Sequence, residues 1–78
     1  MVSPEDIRSY IEAGLHCEEL RVAGDGEHFE AFIVSAAFRG KSRVQRHQLV
    51  YAALGDRMRG EIHALSMRTL TPEEAANG

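Results

Sequence analysis

The chain switches between two hydrophobic periods, and the switches mark its elements. In "VSPEDIRSYIEAGL" the positions Ile7, Tyr10, Ile11 and Gly14 recur at helical spacing. Ser3 suits the N-cap, Pro4 the first helical position, and Glu5 and Asp6 the positive end of the helix dipole. Gly14 is the expected stop. "CEELRVAGDGEHFEAFIVSAAF" then changes to period two. Leu20 and Val22 alternate with polar residues in one arm, and Phe29, Ala31 and Ile33 alternate with Glu30, Phe32 and Val34 in the other. Between the arms, Gly24 to Gly26 ("GDG") predicts a hairpin turn built from residues that tolerate positive φ.

From Ser42 the helical period returns. Val44, His47, Val50, Tyr51 and Leu54 fall on one face, with Ser42 as cap and a stop near Gly55. "GDRMRG", Gly55 to Gly60, suggests a short further turn. "IHALSMRTL" predicts a third strand carrying Ile62, Ala64, Leu65, Met67 and Leu70, and "TPEEAANG" is polar. The order is α-β-β-α-(α)-β. A strand–helix–strand connection within one sheet is right-handed and makes its strands parallel. Strands two and three are therefore expected as parallel neighbours, with strand one antiparallel to strand two. This predicts an α+β sandwich: a three-stranded mixed sheet with helices on one face, over a single domain at 1–72 and a short polar tail at 73–78.

Length and composition narrow the classes of function. At 78 residues there is room for one core, and 44% hydrophobic with 6% aromatic residues makes that core mostly aliphatic. A net charge of -3 argues against non-specific nucleic-acid binding by the whole molecule. The charge is uneven, however: Glu5 to Glu30 is predominantly acidic, while Arg39, Lys41, Arg43 and Arg46 form a basic block without an acid. The lone Cys17 excludes an internal disulfide and a self-contained Cys-rich metal site, and fits a reducing compartment. No apolar run reaches the length of a membrane span. A cytoplasmic protein is expected, with no membrane partner.

The basic block sits in "FRGKSRVQRH", whose "GKS" invites comparison with a phosphate-binding loop. That loop needs a second glycine where this chain has Ser35. Nucleotide hydrolysis is rejected on that ground. The architecture is like that of a KH domain, yet the helix–helix segment "GDRMRG" holds its glycines too far apart for the GXXG clamp. Two readings of the block stand side by side: a solvated basic face, and a surface for nucleic acid or an acidic partner using Arg39, Lys41, Arg43 and Arg46.

The histidines divide by position. His47, on the apolar face of its helix, is read as a core or half-core imidazole. His16 is assigned no role. His28 opens strand two and His63 opens strand three. Parallel neighbouring strands start at the same sheet end and lie about 4.8 Å apart, so two imidazoles there can converge on one ion or cluster. Parallel strands always bring their starts together, so incidental histidines explain the spacing as well. Two histidines do not hold a transition metal firmly, and further ligands would have to come from elsewhere. Ser35, Ser42 and Ser66 show no nucleophile-elbow pattern, and the acids beside Cys17 discourage a nucleophilic thiolate.

"FRGKSRVQRHQLVYAAL" followed by "IHALSMRTLTPEE" resembles the BolA family of bacterial type. The resemblance covers nearly the whole chain, and its specific part runs from Phe38 to Thr71. "GDGEHF" resembles the acid-stress subgroup and "QRH" the mainstream signature. The resemblance implies a class II KH-like αββ(α)αβ fold, a non-enzymatic role, and partnership with a monothiol glutaredoxin. In such a heterodimer a [2Fe–2S] cluster is shared between a glutaredoxin cysteine, glutathione and two ligands from the BolA-type chain, at positions matching His63 and His28. The isolated chain would hold no cofactor and be a monomer or weak dimer. Some family members are DNA-binding transcriptional regulators, a role that would fall to Arg39, Lys41, Arg43 and Arg46. Many relatives continue into an aromatic and a basic tail, where this chain has "AANG".

Overall fold

The structure is a computed structural model and describes residues 2–78. Helix α1 (Pro4–Gly14) leads into strands β1 (Glu19–Gly24) and β2 (His28–Val34). A 3-10 turn (Ala36–Phe38) precedes α2 (Arg43–Leu54) and the one-turn α3 (Arg57–Gly60). Strand β3 (Ala64–Leu70) and a short α4 (Pro72–Asn77) complete the chain. The sheet order is β1-β2-β3, with β1 antiparallel and β3 parallel to β2. This is the expected α+β arrangement.

Helices α1, α2 and α4 start at the same device. Ser3 and Asp6, Ser42 and Gln45, and Thr71 and Glu74 each form a capping box, in which side chain and backbone satisfy one another's free N–H groups. Such a cap is worth about 1 kcal/mol. Ile7 and Ile11 of α1 and Val50 and Leu54 of α2 meet Leu20, Phe29, Ala31 and Ile33 of the sheet, all inside the core. Each large side chain so buried contributes about 1.5–3 kcal/mol. On the other face Arg21 lies over Phe32, 4.5 Å from guanidinium carbon to ring centroid, which shields an aromatic the helices do not cover.

Several expectations need correction. Helix α2 is rotated relative to the expected face: Val44 is 66% exposed and Tyr51 42% exposed, whereas Val50 and Leu54 are fully buried. Arg46, half-buried, turns inward in their place. Gly14 ends α1 as expected, but without a left-handed residue: the chain leaves through Leu15 in an extended conformation. Of the hairpin glycines only Gly26 takes a positive φ, at 102°. Ile62 is buried but lies ahead of β3, which begins at Ala64. The polar segment at 73–78 forms most of the short helix α4, none of whose residues is buried.

Candidate functional site

The sheet end that carries His28 and His63 is shaped by the hairpin. The Asp25 carboxylate accepts the backbone N–H of His28 at 2.9 Å and of Glu27 at 3.0 Å. These bonds, the one from His28 foremost, hold its carboxyl below the usual range. They fix where β2 begins. Parallel pairing sets His28 against Ala64, so His63 stands one residue ahead of β3 at the same sheet end. Both imidazoles are exposed.

The two histidines are not equivalent. His63 lines a cleft of about 510 Å³ with Asp6 and Tyr10 of α1, Gly26 and Glu27 of the turn, and Glu61. His28 is not part of that lining. The far wall is held by stacking and a hydrogen bond. The Arg57 guanidinium lies 3.9 Å from the centre of the Tyr10 ring, and the Tyr10 hydroxyl donates to the Glu61 carboxylate at 3.4 Å. Buried Ile62 anchors the backbone between that wall and His63. Tyr10 was visible in the sequence only as a helix position. Its part in the cleft depends on α3 folding back over α1, for which the pattern carries no signal.

Chemically this end offers imidazole donors and no thiol. Among the described residues, no three His, Cys, Asp or Glu side chains are grouped to hold a metal ion. Cys17 precedes β1, and Glu19 of β1 pairs with Val34 at the far end of β2. At about 3.3 Å per residue that is roughly 20 Å from His28. Burial first, then Glu12 and Glu18, pushes the Cys17 thiol up, and it donates to the Leu15 carbonyl at 3.3 Å. The donor set fits a cluster in one respect: it can fill the imidazole positions and leaves the thiolates to another molecule.

The basic block lies elsewhere and is half neutralised. Arg39 grips Glu73 with two nitrogens, Nε to Oε1 at 2.9 Å. Arg46, its side chain 13% exposed, reaches Glu74 at 2.6 Å and 3.2 Å and the carbonyls of Lys41 and Thr69 at 3.0 Å and 3.1 Å. Lys41 and Arg43 form no ion pair among the described residues. His47 is half-buried in a groove beside Arg43 and Met67; burial first, then the Arg43 charge, lowers its pKa.

A small α+β sandwich with imidazoles at one end of a mixed sheet, and a capped basic helix start elsewhere, defines the architectural class. The family follows from comparison: the profile for BolA-like proteins matches residues 3–74, and the chain belongs to that family. It is 39% identical over 72 residues to the acid stress protein IbaG of Escherichia coli strain K12, covering 91% of this chain and 86% of that one. It is 45% identical over 51 residues to the DNA-binding transcriptional regulator BolA of Haemophilus influenzae, covering 65% of this chain and 50% of that one. A solved BolA homologue from Coxiella burnetii is 48% identical and superposes with a TM-score of 0.84, over 97% of this chain and 99% of the other. The chain spans 51% of the length of several other curated relatives and 19% of one.

Proposed function

We propose that this chain is an adaptor rather than an enzyme. It binds a monothiol glutaredoxin and supplies His63, with His28, to a [2Fe–2S] cluster completed by the partner's cysteine and by glutathione. The observation that supports this reading is the parallel register, which pairs His28 with Ala64 and leaves His63 one residue ahead of that pair at the same sheet end, both imidazoles being exposed. Imidazole in place of thiolate makes a cluster less negative and raises its potential, as in Rieske centres. The chain's own part is to hold His63 at the cleft rim and to orient the turn through Asp25. In this reading His63, which lines the cleft, is the principal ligand and His28, outside that lining, the secondary one. Use in iron–sulfur trafficking, or in sensing stress or iron, follows from a cluster that needs two proteins to exist.

The test is reconstitution of a monothiol glutaredoxin with this protein, glutathione, iron and sulfide, followed by visible absorption and circular dichroism. His63→Ala is expected to change the spectrum and shorten the cluster's lifetime, and His28→Ala to do so more mildly. A His63→Ala complex with unchanged spectrum and lifetime sinks the assignment.

A second reading is favoured by Lys41 and Arg43, which form no ion pair among the described residues, and by the name of the Haemophilus relative. Here the basic segment meets nucleic-acid phosphates in a transcriptional regulator. Binding that survives near physiological salt, and weakens in Arg43→Ala, supports it. Affinity indifferent to Arg43 removes it.

A further inference from the structure

The basic segment and α4 form two halves of one ionic surface. Glu73 and Glu74 are successive residues of α4, and each presents a carboxylate to two nitrogens of one arginine, Arg39 or Arg46. A forked guanidinium binds the oxygens of a phosphate in the same way. Half of the segment's four cations are thus occupied from within, while Lys41 and Arg43 stay free of ion pairs among the described residues. Beyond its Thr71–Glu74 capping box, helix α4 has little else to hold it: it is six residues long and buries none of them. A helix this short is not stable by itself. The outer pair, Arg39 with Glu73, has 57% and 59% of its side chains exposed, so solvent and ions reach it freely.

We infer that α4 is a built-in competitor for phosphate: Glu74 anchors the helix on the half-buried Arg46, Glu73 covers the exposed Arg39, and a phosphodiester backbone gains Arg39 beside Lys41 and Arg43 only by displacing Glu73. The inference rests on the second reading above, that the segment meets nucleic-acid phosphates. Tethering keeps the internal acids at a high effective concentration, so the masked surface prefers a polyanion that contacts several cations at once over single anions. It also makes α4 the switch between a quiet and an open basic surface.

The test compares binding of a labelled mixed-sequence DNA duplex and a single-stranded RNA of equal length, across salt concentrations. The proteins are the wild type, Glu73→Gln/Glu74→Gln, and a control with the same charge change away from the segment, Glu5→Gln/Glu30→Gln. Glutamine keeps the oxygen acceptor that the Thr71 cap needs. Arg46 stays bonded to the Lys41 and Thr69 carbonyls, so the cation freed is Arg39, which is expected to steepen the log–log salt slope for the duplex by about one and to tighten binding roughly eightfold near 0.1 M salt. Adding Arg39→Gln to the double variant should take back most of the change in slope. A gain for the duplex alone assigns the surface to DNA, a gain for the single strand alone to RNA, and either supports the mask. A double variant no tighter than the control, or with the wild-type slope, overturns it while leaving the binding surface in place. If no protein binds either probe, the reading beneath fails and the mask with it.

Discussion

Gly14 at the end of α1 rests against Ala53 of α2 so closely that a Cβ built on Gly14 would stand 2.9 Å from both the Cα and the Cβ of Ala53. This approach sets the spacing of the two helices over Ile7, Ile11, Val50 and Leu54, and hence the thickness of the core. Neither partner is a flexible side-chain tip, so the helices themselves must move apart to admit a methyl group. Gly14→Ala is expected to lower stability by about 1–3 kcal/mol through overpacking, despite alanine's better helix propensity. A urea midpoint at or above the wild-type value would remove this account of the helix pair.

Gly24 couples the fold to the candidate site. A Cβ there would lie 2.4 Å from the Phe29 ring and 2.5 Å from the His28 carbonyl oxygen. The carbonyl is main chain in the strand that carries His28, and the ring is packed in the core. Gly24→Ala should therefore displace the start of β2 and cost about 1–3 kcal/mol in stability. It should also weaken cluster retention with a glutaredoxin more than Gly14→Ala does. Equal cluster lifetimes in the two variants would show that His28 does not depend on the hairpin for its position.

The element order and the strand order were legible because the apolar period changes from 3.6 to 2 and back, and because one helical crossover forces β2 and β3 parallel. The rotation of α2 was not. Val44, Leu49, Val50, Tyr51 and Leu54 spread around the helix, and the choice among faces falls to Arg46, whose bonds to the Thr69 carbonyl and Glu74 come from far along the chain. Helix α4 carries its own local signal: Thr71-Pro72-Glu73-Glu74 is a capping-box sequence with proline at the first helical position. For the candidate site, the shared sheet end of His28 and His63 could be read from parallel pairing. Their inequality could not, since the cleft is made by the hairpin turn and by Arg57 stacked on Tyr10.

Cys17 is expected to be a sluggish thiol. Partial burial, with Glu12 and Glu18 nearby, raises its pKa, so less of the nucleophilic thiolate is present at neutral pH. The rate of alkylation by iodoacetamide, followed against pH, should reach its midpoint above that of a small free thiol. Glu12→Gln and Glu18→Gln should each move the midpoint down, by less than unfolding the chain does. A wild-type midpoint at or below that of glutathione would mean that neither burial nor the two acids govern this cysteine.

The inner ion pair predicts a specific form of acid sensitivity. The Arg46 guanidinium first, and the Thr71 N–H second, pull the Glu74 carboxyl from 4.5 down to about 2. As pH falls, the unfolded chain takes up this proton first, near 4.5, while the folded chain resists until about 2. The stabilisation is therefore complete above the unfolded value and disappears as pH drops through the folded one. Urea midpoints for wild type and Glu74→Gln should differ most at neutral pH and converge between these two values. Arg46→Ala removes the donor to the Lys41 and Thr69 carbonyls as well, and should lose about 2–3 kcal/mol at neutral pH. Arg46→Lys should recover little of that, because an ammonium cannot reproduce the fork that reaches both carboxylate oxygens and the backbone. A difference between wild type and Glu74→Gln that stays constant across the acid range would show that the charge of Glu74 contributes nothing to the fold.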